Sequence, residues 1–355
     1  MGESFLAVRE QPSIPAWKSD ELNSSVGPEI EAPYFDKALG AWVLSRHKDI
    51  LAAFRSPKLF PAGRQSGVVE PQNDGAKVKM REETQAALSP VHIKSWSERL
   101  AAEAWLQSKQ LRRMPVVDLV DGYARPLCVC LAAMVTGIAY SEALRFLESA
   151  RKVSAAAAEP YDLDLENAAG HAQRELESCF PSGPTRLRDS GFVAIAETIP
   201  CLLANAWFAL IRDPEAWELL HRLPELTEQA IEELLRFAGP VRTLFRTAME
   251  DVTVGGMMIR RGELVVLRVI AGNRDPERFE RANEIDVMRS GAGHFSLGWG
   301  SHSCTGANLI RMAAVTISGP LLRRFSRAEL TESVAWRGGS GFRAPVALWV
   351  QLHEA

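Results

Sequence analysis

Cysteine is scarce in this chain: five in 355 residues, at 128, 130, 179, 201 and 304. No two form a C-x2-C pair, and Cys128-Val-Cys130 is too tight for one, so no zinc-type pairing is offered. Four of the five read as small apolar core residues, the usual fate of a free thiol, and a reducing, cytoplasmic setting suits them. Long hydrophobic runs are missing too. No stretch of about eighteen uninterrupted apolar residues occurs, which speaks against a membrane span. Charge of one sign is lacking: 41 Lys and Arg against 44 Asp and Glu leave a net charge of −3, and a pI near 6.2 gives no support for nucleic-acid binding. There are no repeats, no low-complexity tracts and no obvious linker. The opening MGESFLAVREQPSIPAW matches neither a signal peptide nor a transit peptide, and Leu6 spoils a myristoylation motif.

What is present is 46% hydrophobic and 24% charged, suited to a globular protein with a large core. The chain reads as one domain, residues 1–355. Trp42 to Leu44 is predicted to be a short strand, followed by a helix opening near His47. From Ala76 the spacing is helical over 76–110, 118–137, 140–157, 163–179, 189–211, 213–221 and 225–238, with apolar residues three and four apart. After Gly239-Pro240 the pattern turns β-like, with Gly255-Gly256 as a hairpin turn. A helix is predicted over 306–325 and a terminal hairpin over 334–353. The fold class is mainly α, α+β by content, with small sheets near the N-terminus and in the C-terminal third.

The stretch HFSLGWGSHSCTGANLIRMAA, His294 to Ala314, concentrates the chemistry. Gly298 and Gly300 stand six and four residues before Cys304, and Gly306 two after. Glycine permits close approach of backbone to a flat object. A helix opening there presents free N–H groups and partial positive charge, which biases a thiol toward thiolate.

Leu297 to Arg311, L-G-W-G-S-H-S-C-T-G-A-N-L-I-R, resembles the haem-binding signature of the cytochrome P450 family, F-G-x-G-x-H-x-C-x-G-x-x-L-A-R. The resemblance implies the P450 fold, a helix-rich haem domain, with Cys304 as axial thiolate on the iron of haem b. Leu297 replaces the usual Phe beside the sulfur, and Ile310 replaces an Ala. Further matches follow the family's order. Glu233-Leu-Leu-Arg236 matches E-x-x-R, one helical turn apart, and the family locks this pair to the meander, here NRDPERF. Arg246 and His302 fall where relatives hold haem propionates. Lys77-Val-Lys-Met-Arg81 stands for H-x-x-x-R, so Arg81 and Lys77 are implied propionate partners on one side of a helix.

The family's oxygen-activating signature maps onto Ala194-Ile195-Ala196-Glu197-Thr198. The resemblance assigns the catalytic alcohol to Thr198 and the acid that feeds it protons to Glu197. By spacing, Ala194, Ile195 and Thr198 can share the face over the haem. Ile195 replaces the usual glycine and would narrow the groove. Pro200 lacks an N–H and presses on the carbonyl of Ala196, so a kink beside Thr198 is expected to compensate. The stretch PSGPTRLRDS before this helix is cut down relative to the family, and the helices around 140–179 are expected to form a short pocket roof.

The implied function is a soluble, bacterial-type haem-thiolate monooxygenase. It would insert one atom of O2 into a small, largely apolar substrate by hydroxylation or epoxidation. Electrons would come from a ferredoxin or flavodoxin and its NAD(P)H-dependent reductase, docking on a cationic face near Arg311. Candidate pocket residues are Ala194, Ile195, Val241, Thr243 and Leu244, with Phe342 beyond them. The rivals are a peroxide-driven peroxygenase and a catalytically idle haem protein that binds or recruits; Glu197-Thr198 argues against both.

Overall fold

The computed structural model describes residues 29–61, 74–158, 162–179, 191–289, 293–300, 303–337 and 341–354. Helices dominate. The longest apolar one, Gly191–Ile211, has a mean hydropathy of 1.6 over its most apolar eighteen residues, and 89% of that window is buried inside the protein. From Ile199 to Ile211 all thirteen residues are buried. A helix apolar on every side belongs in the middle of a fold, and this central helix organises the main core. Its Trp207 donates through Nε1 to Ser318 Oγ at 3.0 Å, fixing it against the helix Ala307–Arg324. Buried Tyr123 reaches that same helix, donating to the Ile317 carbonyl at 2.9 Å.

The helical stretch expected over 76–110 is two helices, Asp74–Ala87 and Pro90–Leu111. Ser89 caps the second, accepting from the His92 N–H. Pro90 fits its first turn, where no N–H is needed. The stretch 140–157 likewise breaks into Tyr140–Arg145 and Leu147–Ala158.

A five-stranded sheet runs in the order Tyr34–Asp36, Ala41–Leu44, Leu264–Arg268, Thr243–Ala248, Leu59–Pro61. Ala41–Leu44 and Leu264–Arg268 pair in parallel, Ala41 opposite Leu264. Gly255 and Gly256 turn the hairpin between Val252–Val254 and Met257–Ile259, with φ of 57° and 84°. A Cβ on Gly255 would also meet Pro33 Cγ at 2.6 Å. The expected terminal hairpin is corrected. Among the described residues a single isolated bridge, Trp336–Pro345, joins its two arms, while Trp349–Glu354 pairs with Phe325–Leu330 and Val117–Asp118. Phe325, expected to close the preceding helix, already belongs to that sheet.

Candidate active site

Cys304 is partly buried at the end of a folded-back loop. Its N–H donates to the Leu297 carbonyl at 2.7 Å, and Gly298 N–H bonds Phe295 O at 2.8 Å. Gly298 and Gly300 take φ of 70° and 60°, values that exclude most side chains. The helix begins at Ala307, with Gly306 before it, three residues later than the sulfur. The helix-start bias toward thiolate is therefore outweighed: burial pushes the Cys304 thiol up, opposed by the Gly306 N–H and by Arg81 and Arg311. Arg81 clamps the loop from outside, donating to Ser303 O at 3.0 Å and to Ser303 Oγ at 2.8 Å. His302 and the side chain of Lys77 lie outside the described residues.

Glu233 and Arg236 form a forked pair at 2.7 and 2.8 Å, each all but excluded from solvent. The remaining guanidinium protons go to the carbonyls of Asn273 and Ala282, both at 2.8 Å, and of Glu284 at 3.0 Å. All five donors are thus used. Glu233 in turn accepts from Asp286 N–H and Arg289 Nε. One ion pair therefore ties the helix Thr227–Ala238 to the meander before the cysteine loop. Asn273, unflagged beyond its motif, carries the connection onward: its side chain accepts from Phe295 N–H at 2.7 Å and donates to Ser296 Oγ at 2.8 Å.

Arg246 sits in mid-strand, 5% exposed, its guanidinium 5.4 Å from the Phe54 ring centroid. Nη1 donates to the Phe245 carbonyl, and Nε has no partner among the described residues. No carboxylate among the described residues compensates it, and burial lowers its pKa from 12.5 to about 10. A buried guanidinium without an anion is costly. It fits a group that brings its own carboxylate, as a haem propionate does, and the glycine-framed thiol fits the iron.

The central helix widens to a π turn over Ala194–Thr198, where Ile199 N–H bonds Ala194 O. Pro200, just beyond, offers no N–H to either register. Between Phe192 and Ile211, only Ala194 and Thr198 keep exposed surface. Ile195 is 3% exposed and packs in the main core. Its place beside Thr198 is corrected: the extra residue in the turn rotates it away from the face that Ala194 and Thr198 share. Of the other pocket candidates, Val241 pairs with Phe342 in an isolated bridge, Thr243 is buried and Leu244 is half-buried.

Glu197 is fully buried. Arg125 Nη1 and Arg337 Nη2 each donate to one of its oxygens at 2.5 Å, and Arg151 Nε stands 3.6 Å away. Sequence reading missed these arginines, since nothing local marks them. Its expected role is corrected as well: no water-exposed carboxyl is offered here. Arg311, near which a cationic docking face is expected, is forked onto Glu232 at 2.5 and 3.0 Å.

The family model described as Cytochrome P450 matches residues 211–334. Nocardicin C N-oxygenase of Nocardia uniformis subsp. tsuyamanensis is 28% identical, the alignment covering 90% of each chain. Linalool 8-monooxygenase of Pseudomonas putida is 27% identical, over 82% of this chain and 84% of that one. Among solved structures, CYP109E1 from Bacillus megaterium in complex with testosterone superposes with a TM-score of 0.79 at 21% identity, covering 90% of this chain and 94% of that one. P450BioI, in complex with an acyl carrier protein carrying hexadec-9Z-enoic acid, gives 0.78 at 22%, covering 88% and 92%. These last two speak for the fold alone.

Proposed function

From the premise that this chain is a bacterial-type cytochrome P450, an oxidoreductase of the haem-thiolate kind, we propose that it inserts one oxygen atom from O2 into a C–H or C=C bond of a small, largely apolar molecule, reducing the other atom to water. The observation that carries this reading is the π turn, which leaves Thr198 and Ala194 as the two surfaced residues of an otherwise buried helix.

Cys304 would hold the iron of haem b through its sulfur, and Arg246 and Arg81 would pair with the haem's carboxylates. When bound, the cofactor supplies dioxygen activation, the thiolate pushing electron density that favours O–O cleavage. Thr198 holds a proton at its Oγ beside the oxygen site. Glu197 acts from behind the turn: held by Arg125, Arg151 and Arg337, it fixes the backbone on which the alcohol stands. Val241 and Leu244 border the substrate, Ala194 admitting it close to Thr198. The protein works in the cytoplasm. Electrons come from a ferredoxin or flavodoxin with its NAD(P)H-dependent reductase. Because Glu232 engages Arg311, docking relies less on that cation than on the groove between Pro90–Leu111 and Ala307–Arg324, where Ile93, Lys94 and Met312 meet.

The test compares NAD(P)H-driven turnover, with surrogate redox partners, against peroxide-driven turnover. Product from O2 and NAD(P)H supports the monooxygenase. Product from peroxide alone makes it a peroxygenase, and product from neither makes it a binding protein. The reduced carbon-monoxide complex should carry the red-shifted Soret band of thiolate ligation, lost in Cys304→Ser.

A further inference from the structure

Glu232 is the neighbour of Glu233 in sequence but serves a different bond set. Its Oε1 accepts from Arg311 Nε at 2.5 Å and its Oε2 from Arg311 Nη2 at 3.0 Å. The Nε2 of His294 lies 3.4 Å from Oε2, at the edge of hydrogen-bonding reach. The Nδ1 of that ring accepts from Ser296 N–H at 3.3 Å, so the ring proton belongs on Nε2, facing the carboxylate. His294 is 7% exposed, whereas the Arg311 and Glu232 side chains keep 36% and 27% of their surface.

His294 opens the cysteine loop and Arg311 stands on the helix that closes it. One carboxylate therefore holds the helix after Cys304 through Arg311 and faces, without a hydrogen bond, the His294 ring at the start of the loop. The grip is also electrical. Among the described residues, Arg311 on the helix after the loop and Arg81 against Ser303 both bring positive charge toward the Cys304 sulfur. Among the described residues Arg81 is bonded to Ser303 in the loop, whereas Arg311 carries a forked counter-charge.

We propose that Glu232 is a positioning residue for the thiolate: by holding Arg311 in a forked pair, it limits the positive charge that the Cys304 sulfur feels, and so keeps the loaded protein harder to reduce. The inference rests on the haem-thiolate reading above. Groups around a metal ligand tune the metal through charge and orientation. Removing the Glu232 charge leaves Arg311 uncompensated beside the sulfur, and an uncompensated cation favours the reduced, more negative state. Removing the Arg311 charge does the opposite.

The experiment is spectroelectrochemical titration of the cofactor-loaded protein, with cofactor content and the reduced carbon-monoxide spectrum recorded for each variant. Glu232→Gln, which keeps the shape and one acceptor, is expected to shift the midpoint potential positive. Arg311→Met is expected to shift it negative. The double variant is expected to fall between them, because the lost charges cancel. The single-variant shifts should shrink at high salt, since the pair is partly exposed. Equal potentials in wild type and both single variants overturn the proposal. So does a double variant displaced further than either single one, the additive damage of a merely structural link. Should Glu232→Gln fail to retain cofactor, the sign of the Arg311→Met shift still decides. A wild-type protein lacking the thiolate spectrum fails the haem-thiolate reading itself, whereas an intact spectrum with unmoved potentials fails only the role of Glu232.

Discussion

Replacing Pro200 with alanine gives the central helix the one N–H that position 200 lacks. At present Ile199 N–H reaches back five residues to Ala194, and the carbonyls of Ile195 and Ala196 receive nothing from residue 200. With alanine there, Ala196 can accept in ordinary α register and the π turn can close. One added buried backbone hydrogen bond is worth about 1 kcal/mol net. The full penalty of about 3 kcal/mol for proline in a helix interior does not apply, because the wide turn already relieves the ring and Pro200 stands in the first turn of the α segment Ile199–Ile211. A gain of about 1 kcal/mol or less amounts to about 2 °C in Tm for a chain this long. Closing the turn swings Ile195 out of the core toward Thr198, crowding the alcohol. The variant should therefore melt slightly higher while releasing more hydrogen peroxide per NAD(P)H consumed. Differential scanning calorimetry and the ratio of peroxide to product read the two effects. Thr198→Ala should uncouple without the thermal gain, since it removes the alcohol and leaves the turn. If Pro200→Ala changed neither melting nor coupling, the proline would not be the cause of the turn, and the arginine grip on Glu197 would be the remaining support.

Arg236→Lys keeps a cation beside Glu233 but strands buried carbonyls of Asn273, Ala282 and Glu284, each costing about 1–3 kcal/mol when left without a donor; urea unfolding and cofactor retention would show the loss. Arg246→Met should stabilise the cofactor-free protein, because burial opposes its guanidinium by about 3 kcal/mol at most, yet weaken cofactor binding; a melting scan with and without cofactor must show opposite signs. The Glu232 carboxyl is held at about 2 rather than 4.5 by His294 and Arg311 against the pull of burial. Its folded value is depressed, so its stabilisation is present above about 4.5 and lost as pH falls toward 2. Glu232→Gln should flatten acid unfolding in that window, and an unchanged acid limb would contradict the assignment.

The sequence announced its cysteine loop because glycines and a cysteine at fixed spacing need little context, and the Glu233–Arg236 pair because both ends lie on one helical turn. Orientation was harder to read. A helical wheel puts Ile195 near Thr198, and only the π turn, invisible in residue types, moves it into the core. The partners of Glu197 come from 72 and 140 residues away in Arg125 and Arg337, a distance across which no local pattern extends. The counter-charge of Arg311 was hidden for the same reason, lying 79 residues back on another helix. The terminal segment misled differently: 334–353 reads as a hairpin, yet Trp349–Glu354 pairs with Phe325–Leu330 instead.

The parallel pairing of Ala41–Leu44 with Leu264–Arg268 dictates an order of assembly. As the chain leaves the ribosome, the early strand finds only Tyr34–Asp36 beside it, and a lone two-stranded ribbon is marginal in water. Its stable neighbour is made more than two hundred residues later. Helices adjacent along the chain, such as Leu147–Ala158 and Leu163–Cys179, can pack early, while the sheet must wait because long loops are ordered before distant strands meet. Arg246 belongs to that sheet, so the residue proposed to meet a haem carboxylate takes its place only once distant strands have paired.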